Sequence, residues 1–369
     1  MRRYLLHAVI ALAAMILALP APGRAEPVAV TDVTGRTVTL AQPAKRILLA
    51  EGRQIIGLSL LHQDPVSLLA GWLGDFRRND VASYALYRDK FPAIDDVPVV
   101  GIGNDGSFSV ERAIEIKPDL AVLGVNFAPG GRSNEVARQL EGAGIPVVFT
   151  DFYVDPFDHT IPSLRALGLV TGRAQQAEEY IAFYEAHMKR ISDRLASVKD
   201  KPTILFETHA SGSDCCHAPG AGNIGRFIAF AGGDSISAPM SKGPTAQLGL
   251  EYVLSRDPDV YVGTGGAHLQ ATGGLVIGPG FGADAIRQSL RTVVARPGFA
   301  GLKAVQTRRT HGLFHNIIST PLNMLATEAL ARWLHPAAMR DIDPDATMAE
   351  INRRFLAVPM KGIYWIDLE

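Results

Sequence analysis

Residues 174–198 read AQQAEEYIAFYEAHMKRISDRLASV. Their apolar members fall at Ile181, Tyr184, Met188, Ile191, Leu195 and Val198, in alternating steps of three and four. That spacing lines one face of an α-helix. Neither glycine nor proline interrupts the run. At ~1.5 Å per residue the predicted helix is a rod of about 37 Å, longer than most helices of globular proteins. A long surface helix would have the same periodicity. The position near the middle of a 369-residue chain, with α/β patterning on both sides, favours a rigid strut joining two lobes.

Working outward, the N-terminal side opens with DVTGRTVTL, whose Thr-Gly-Arg turn predicts a small hairpin. Arg46 to Ala50 reads as a buried strand, and a helix is predicted through Leu61. Residues 73–95 are polar and aromatic and are expected to make an excursion over the surface. Then helices at 109–116 and 133–142 alternate with strands at 120–125 and 146–150, and a helix at 159–171 closes the segment. The rhythm restarts at Thr203–Glu207 and runs through a Gly-rich loop at 209–222 to a last short strand at Tyr364–Ile366. Strands alternating with helices predict parallel sheets covered on both faces. The expected architecture is therefore α/β. Two lobes with mainly parallel sheets flanked by helices, residues 26–173 and 199–369, are joined by the strut at 174–198 across a ligand cleft.

Two segments echo each other. SVERAIEIKPDLAVLG (109–124) and GLEYVLSRDPDVYVGT (249–264) align Glu111, Pro118 and Asp119 with Glu251, Pro258 and Asp259 at a constant offset of 140. Each predicts a helix, a Pro-Asp turn and a buried strand, the proline ending the helix because it lacks an N–H. Matched lobes on one strut leave a cleft, and clefts between lobes bind ligands. The paired glutamates complement helix N-termini; as a matched pair they also present one acidic knob per lobe.

The composition, 47% hydrophobic and 20% charged with a formal net charge of -1, is that of a globular protein and argues against a nucleic-acid partner. Arg2 and Arg3, the apolar run Leu5–Leu19 and Gly23-Arg24-Ala25 read as a secretory signal peptide over residues 1–25. No cysteine follows that could carry a lipid anchor, so an exported, soluble product is expected. The two cysteines, Cys215 and Cys216, are adjacent. They either form a vicinal ring or both stay reduced, and in neither state do they brace a long loop.

These motifs resemble the periplasmic binding proteins of ABC importers for ferric siderophores, haem and cobalamin, in the helix-linked class. The resemblance spans residues 28–357. It is carried by DVTGRTVTL with AKRILLA, SVERAIEIKPDLAVLG, GIPVVFTDF, LGLVTGRAQQAEEYIAFY and LGLEYVLSRDPDVYVGT. It implies a ligand held between the lobes with little hinge motion. It also implies one glutamate per lobe, Glu111 and Glu251, docking onto arginines of an inner-membrane permease. The expected localisation is the periplasm, and the expected state a monomer.

In open α/β sheets ligands lie beyond the carboxyl ends of the strands. That rule selects loops carrying Arg53, Trp72, Asn126, Arg132, Tyr153, His209, His217 and His268, and Arg226 follows a Gly-rich loop into a helix. Arginine forks suit the oxygens of an anionic chelate, and aromatic rings pack on its flat arms. Hence the expected contacts are Arg53, Trp72, Arg132, Tyr153, His209, His217 and Arg226. The segment Asp214-Cys215-Cys216-His217 offers either a rigid apolar plate or, with His209, metal ligands; adjacent cysteines fit the usual metal spacing poorly. His311 and His315 are expected to be one core and one surface histidine. Gly101, Gly103 and Gly106 spell G-x-G-x-x-G, but outside a first βα unit and with Asp119 committed to a turn, so a dinucleotide site is not expected. No protein cofactor, resident metal or catalytic signature is found. The function expected is capture of an iron–siderophore complex. Alternatives are haem, cobalamin or a bare metal ion in the same fold and, in a different class, a secreted enzyme using the 209–217 loop.

Overall fold

The computed structural model describes residues 27–369 apart from Asn104, Arg132 and residues 212–214. The expected leader, Arg132 and Asp214 thus lie outside the described residues. The DVTGRTVTL hairpin forms as β1 (Val28–Thr31) and β2 (Thr37–Leu40), antiparallel with Val28 opposite Leu40.

Five parallel strands follow: β3 (Ile47–Leu49), β4 (Leu69–Leu73), β5 (Val99–Gly101), β6 (Leu120–Gly124) and β7 (Val147–Thr150). They lie in the order β5-β4-β3-β6-β7. The second lobe holds β8 (Thr203–Glu207), β9 (His217–Ala218), β10 (Asp234–Ser235), β11 (Ala246–Gln247), β12 (Val260–Gly265), β13 (Thr310–Phe314) and β14 (Trp365–Asp367). Its main sheet runs β10-β8-β12-β13-β14, parallel except for the final pair, while β9 and β11 form a separate antiparallel ribbon. In each sheet the chain order reverses once, between β3 and β6 and between β8 and β12. Such switch points open a crevice at the carboxyl ends of the strands.

The strut is a helix over Ala174–Leu195, 22 residues without a break. At ~1.5 Å per residue it spans about 33 Å. It ends three residues before Val198, at the last turn of its apolar stripe. Its buried face, including Tyr180, Tyr184, Met188 and Ile191, packs on both lobes. The Tyr180 hydroxyl donates to the Pro321 carbonyl at 2.8 Å, and the Tyr184 hydroxyl donates to Asn323 Oδ1 at 2.9 Å. Asn323 in turn donates to Thr160 Oγ1 of the first lobe at 2.8 Å. One apolar cluster runs through both sheets and the strut, so the lobes share a core. Truncating one of its buried aromatic rings would cost roughly 3–5 kcal/mol.

Residues 73–95 depart from expectation. They form helices Asp75–Asn79 and Val81–Lys90, and the buried rings of Tyr84 and Tyr87 pack on Phe76. The aromatics that read as surface therefore serve as core. The chain end also returns to the first lobe, where the Ala357 N–H donates to the Ser59 carbonyl at 2.8 Å and Lys90 Nζ donates to the Ala357 carbonyl.

Candidate functional site

The loops at the two switch points face each other across the crevice. On the first-lobe side, β3 runs into a turn at Gly52–Gln54. A side chain at Gly52 would place its Cβ 2.6 Å from the Leu73 carbonyl, so only glycine fits; its N–H donates to Asp75 Oδ1 at 2.6 Å. This pins Arg53, whose guanidinium carbon lies 4.9 Å from the centre of the Tyr153 ring. Tyr153 is 43% exposed. Its backbone is fixed by Asp151, whose carboxylate accepts from the N–H groups of Tyr153, Val154 and Asp155 and from His159.

The second lobe contributes three imidazoles, each from the carboxyl end of a different strand. His209 follows β8 in a left-handed conformation (φ 52°), with its N–H donated to Thr264 Oγ1 at 3.0 Å. His268 lies in the turn after β12 and His315 directly follows β13. His209 Nδ1 and His268 Nε2 are 2.9 Å apart, so one ring donates to the other. The rings of His209 and His315 lie 3.9 Å apart, and His315 Nδ1 is 3.0 Å from Thr264 Oγ1. Burial, then the neighbouring His268 and His217, brings the His209 pKa down to about 4. Burial also lowers His268 and, together with its His and Arg53 neighbours, pulls His315 well below the ordinary range. All three are therefore neutral at pH 7. Neutral imidazoles from the second lobe and a cation stacked on a phenol from the first thus offer ring faces, imidazole N–H donors and lone pairs, and one positive charge. Among the described residues no group of three or more His, Cys, Asp or Glu side chains is arranged to hold a metal ion.

Of the other expected contacts, Trp72 falls elsewhere. Trp72 is 1% exposed and packs against Phe76 and Tyr84; its position in β4 turns it into the core, which corrects its reading as a ligand contact. Arg226 is held at the seam between the lobes. Its guanidinium donates to both oxygens of Asp155 and of Asp158, and it lies over the Phe157 ring. These bonds tie the two lobes together beside Tyr153. Asn223, one turn earlier, donates to the Tyr153 carbonyl and adds to that tie. His217 is an exposed residue of β9, near enough to His209 to lower its pKa. Cys215 and Cys216 are joined to each other across a cis peptide bond, with Cα atoms 3.0 Å apart. That resolves the cysteine alternatives in favour of the vicinal ring and removes the thiols as metal ligands.

The Gly101 loop does not make a phosphate cradle. Its N–H groups at Ile102 and Gly103 donate to the Ser107 hydroxyl instead. His311 is the core histidine, stacked on Trp333 and bonded to Asp367; His315, expected at the surface, joins the site instead. Its only signal in the sequence was its place at a strand's carboxyl end. Glu111 and Glu251 are exposed in the first turns of helices Val110–Glu115 and Leu250–Arg256. Each helix leads through its Pro-Asp turn into the strand that follows, β6 or β12.

Comparison with curated proteins gives no match. Among solved structures, the TroA-like periplasmic binding protein FepB of Veillonella parvula superposes with a TM-score of 0.85 at 25% identity, covering 93% of this chain and all of that one. A nickel–histidine complex of Helicobacter pylori CeuE superposes at 0.64 with 15% identity, covering 91% of this chain and 97% of that one. A periplasmic heme-binding protein of Pseudomonas aeruginosa superposes at 0.57 with 20% identity, covering 80% and 94%. The two-lobed fold is that of these proteins. A family model described as "Periplasmic binding protein" matches residues 59–313, most of the chain. The chain belongs to the periplasmic binding protein family, in the class whose lobes are joined by a single helix.

Proposed function

We propose that this chain captures an iron–siderophore complex in the periplasm and delivers it to an inner-membrane ABC permease. The observation that carries the reading is the pairing of Arg53 over Tyr153 with neutral His209, His268 and His315 across one crevice. The cation draws the negative charge of a ferric chelate, and the flat rings offer contact area to its arms. Residues 1–25 act as the export signal, and the mature protein works as a soluble monomer. Glu111 and Glu251 dock onto the permease, where exposed carboxylates set orientation more than affinity. Arg132 and His217 remain candidates for the rim of the same site. No chemistry on the cargo is inferred.

The imidazoles favour haem as a second reading, because a haem iron takes an axial nitrogen. A solved relative of this fold is named for heme binding, and another was solved with nickel and histidine. Intrinsic-fluorescence titration of the mature protein separates the readings. Ferric hydroxamate, catecholate and carboxylate chelates are compared with haem and cobalamin. Saturable quenching by one class of ferric chelate supports the proposal, and quenching by haem alone replaces it. Recovery of altered cargo would reopen the enzyme alternative.

A further inference from the structure

Beside Arg53 the crevice continues into a cavity of about 70 Å³. Arg53, Asp75 and Asp80 line it from the first lobe, and Phe314, Asn316 and Met360 line it from the second. Asp80 caps helix Val81–Lys90 by accepting from the Ser83 N–H at 3.3 Å. Three buried hydroxyls stand near Asp80: Ser83 Oγ, Tyr87 OH and Tyr364 OH. Tyr364 OH has no hydrogen-bond partner among the described residues, while Ser83 Oγ is left to Asp80 and Tyr87 OH to Ser59. A buried polar group without a partner is rare; the three hydroxyls do not themselves line the cavity, and Asp80 is what connects them to it.

The lining decides what kind of occupant. Two carboxylates, Asp75 and Asp80, outnumber the one cation in the lining, Arg53, which disfavours an anion. Their burial raises both Asp75 and Asp80 above the usual carboxylate range, and a nearby cation would relieve that cost. A metal ion would want oxygen or nitrogen on every side, yet the Phe314 and Met360 walls are apolar and no set of three acidic or histidine ligands exists among the described residues. An alkylammonium fits both halves: methylenes against the apolar wall and three N–H donors toward carboxylate, amide and hydroxyl oxygens. The volume admits an ammonium end and not a whole chelate.

We propose that this cavity is a subsite for a primary ammonium group, the cationic arm of the cargo. The part that concerns the arm rests on the chelate-binding reading above; the cavity itself is testable without it. Calorimetric titration of the mature protein with n-butylammonium chloride is expected to show saturable binding, with none for butyrate or 1-butanol. Asp80→Asn, which keeps a capping side chain, is expected to weaken butylammonium at least tenfold. Asn316→Leu serves as a second variant, from the opposite lobe, with the same expected loss. Absence of saturable binding, equal binding of 1-butanol, or unchanged affinity in both variants overturns the subsite and leaves only water there. An amine-terminated ferric hydroxamate should then bind at least tenfold more tightly than its N-acetyl derivative. Equal affinity of the two overturns the arm's role. Butylammonium binding by a protein that takes none of the chelates keeps the subsite and removes the iron chelate as its bearer.

Discussion

In the first lobe, Asp119 accepts hydrogen bonds from the N–H groups of Lys45 and Arg46 at the entry to β3. In the second, Asp259 accepts from the Thr203 N–H at the entry to β8. Both aspartates follow a proline, and the residue before each proline, Lys117 or Asp257, is left-handed, at φ 48° and 39°. The echo in the sequence thus extends to backbone angles and to the bond that anchors each sheet's first strand. The opposite ends of the same sheets share nothing comparable. One carries a cation on a phenol, the other three imidazoles. The scaffold was kept in duplicate, and the chemistry was left to the loops, which can change without disturbing the sheet.

That contrast can be broken at either end. If the duplicated scaffold positions the two prongs, Glu111→Ala with Glu251→Ala should abolish cargo uptake by cells while chelate affinity stays the same. A parallel loss of affinity would remove the docking role. If the loop chemistry is divided as described, Arg53→Ala should weaken an anionic ferric chelate about 10- to 100-fold, the size of a charge-assisted contact. Unchanged quenching titrations would take Arg53 out of the site.

The histidine side predicts a pH signature. A lowered folded-state pKa means that the unfolded chain binds protons first as the solution is acidified. The stability tied to His209 is therefore complete above about pH 6.5 and is lost as pH falls toward about 4. His315 adds in the same direction. Asp75 and Asp80, whose carboxyls are raised, act in the opposite sense. Comparing the protein with His209→Asn plus His315→Asn isolates the imidazoles. Melting temperatures of the variant should fall less steeply between pH 6.5 and 4.5, and parallel curves would refute buried neutral rings. The smallest effect belongs to Arg226→Ala. Its ion pairs are about one-third exposed, so roughly 1 kcal/mol or less should be lost, read by thermal denaturation.

The strut, the sheets and the paired helix–turn–strand units were legible because periodicity and proline placement act locally. The imidazole cluster was only partly legible. The rule of strand ends named His209 and His268, but nothing in the sequence distinguishes His315, turned into the crevice, from His311, four residues earlier and stacked on Trp333. The burial of Trp72 and the cross-lobe ties of Arg226 were illegible for a related reason. Both sit at positions where a ligand contact is plausible, and the outcome depended on partners far away in sequence: Tyr84 for one, Asp155 and Asp158 for the other. Residues 73–95 misled because their polar content hid two aromatic rings on one buried face.

The strut has a consequence for traffic at the membrane. Its two tyrosines, the Asn323 relay to Thr160 and the chain end laid on Ser59 bind the halves into one body with a common core. A frame so braced has little freedom to signal occupancy by changing the gap between Glu111 and Glu251. If those glutamates are the docking groups, empty and loaded copies present nearly the same face to a transporter, and vacant copies compete for the same berth. Transport driven by such a receptor should slow when the unloaded form is supplied in excess.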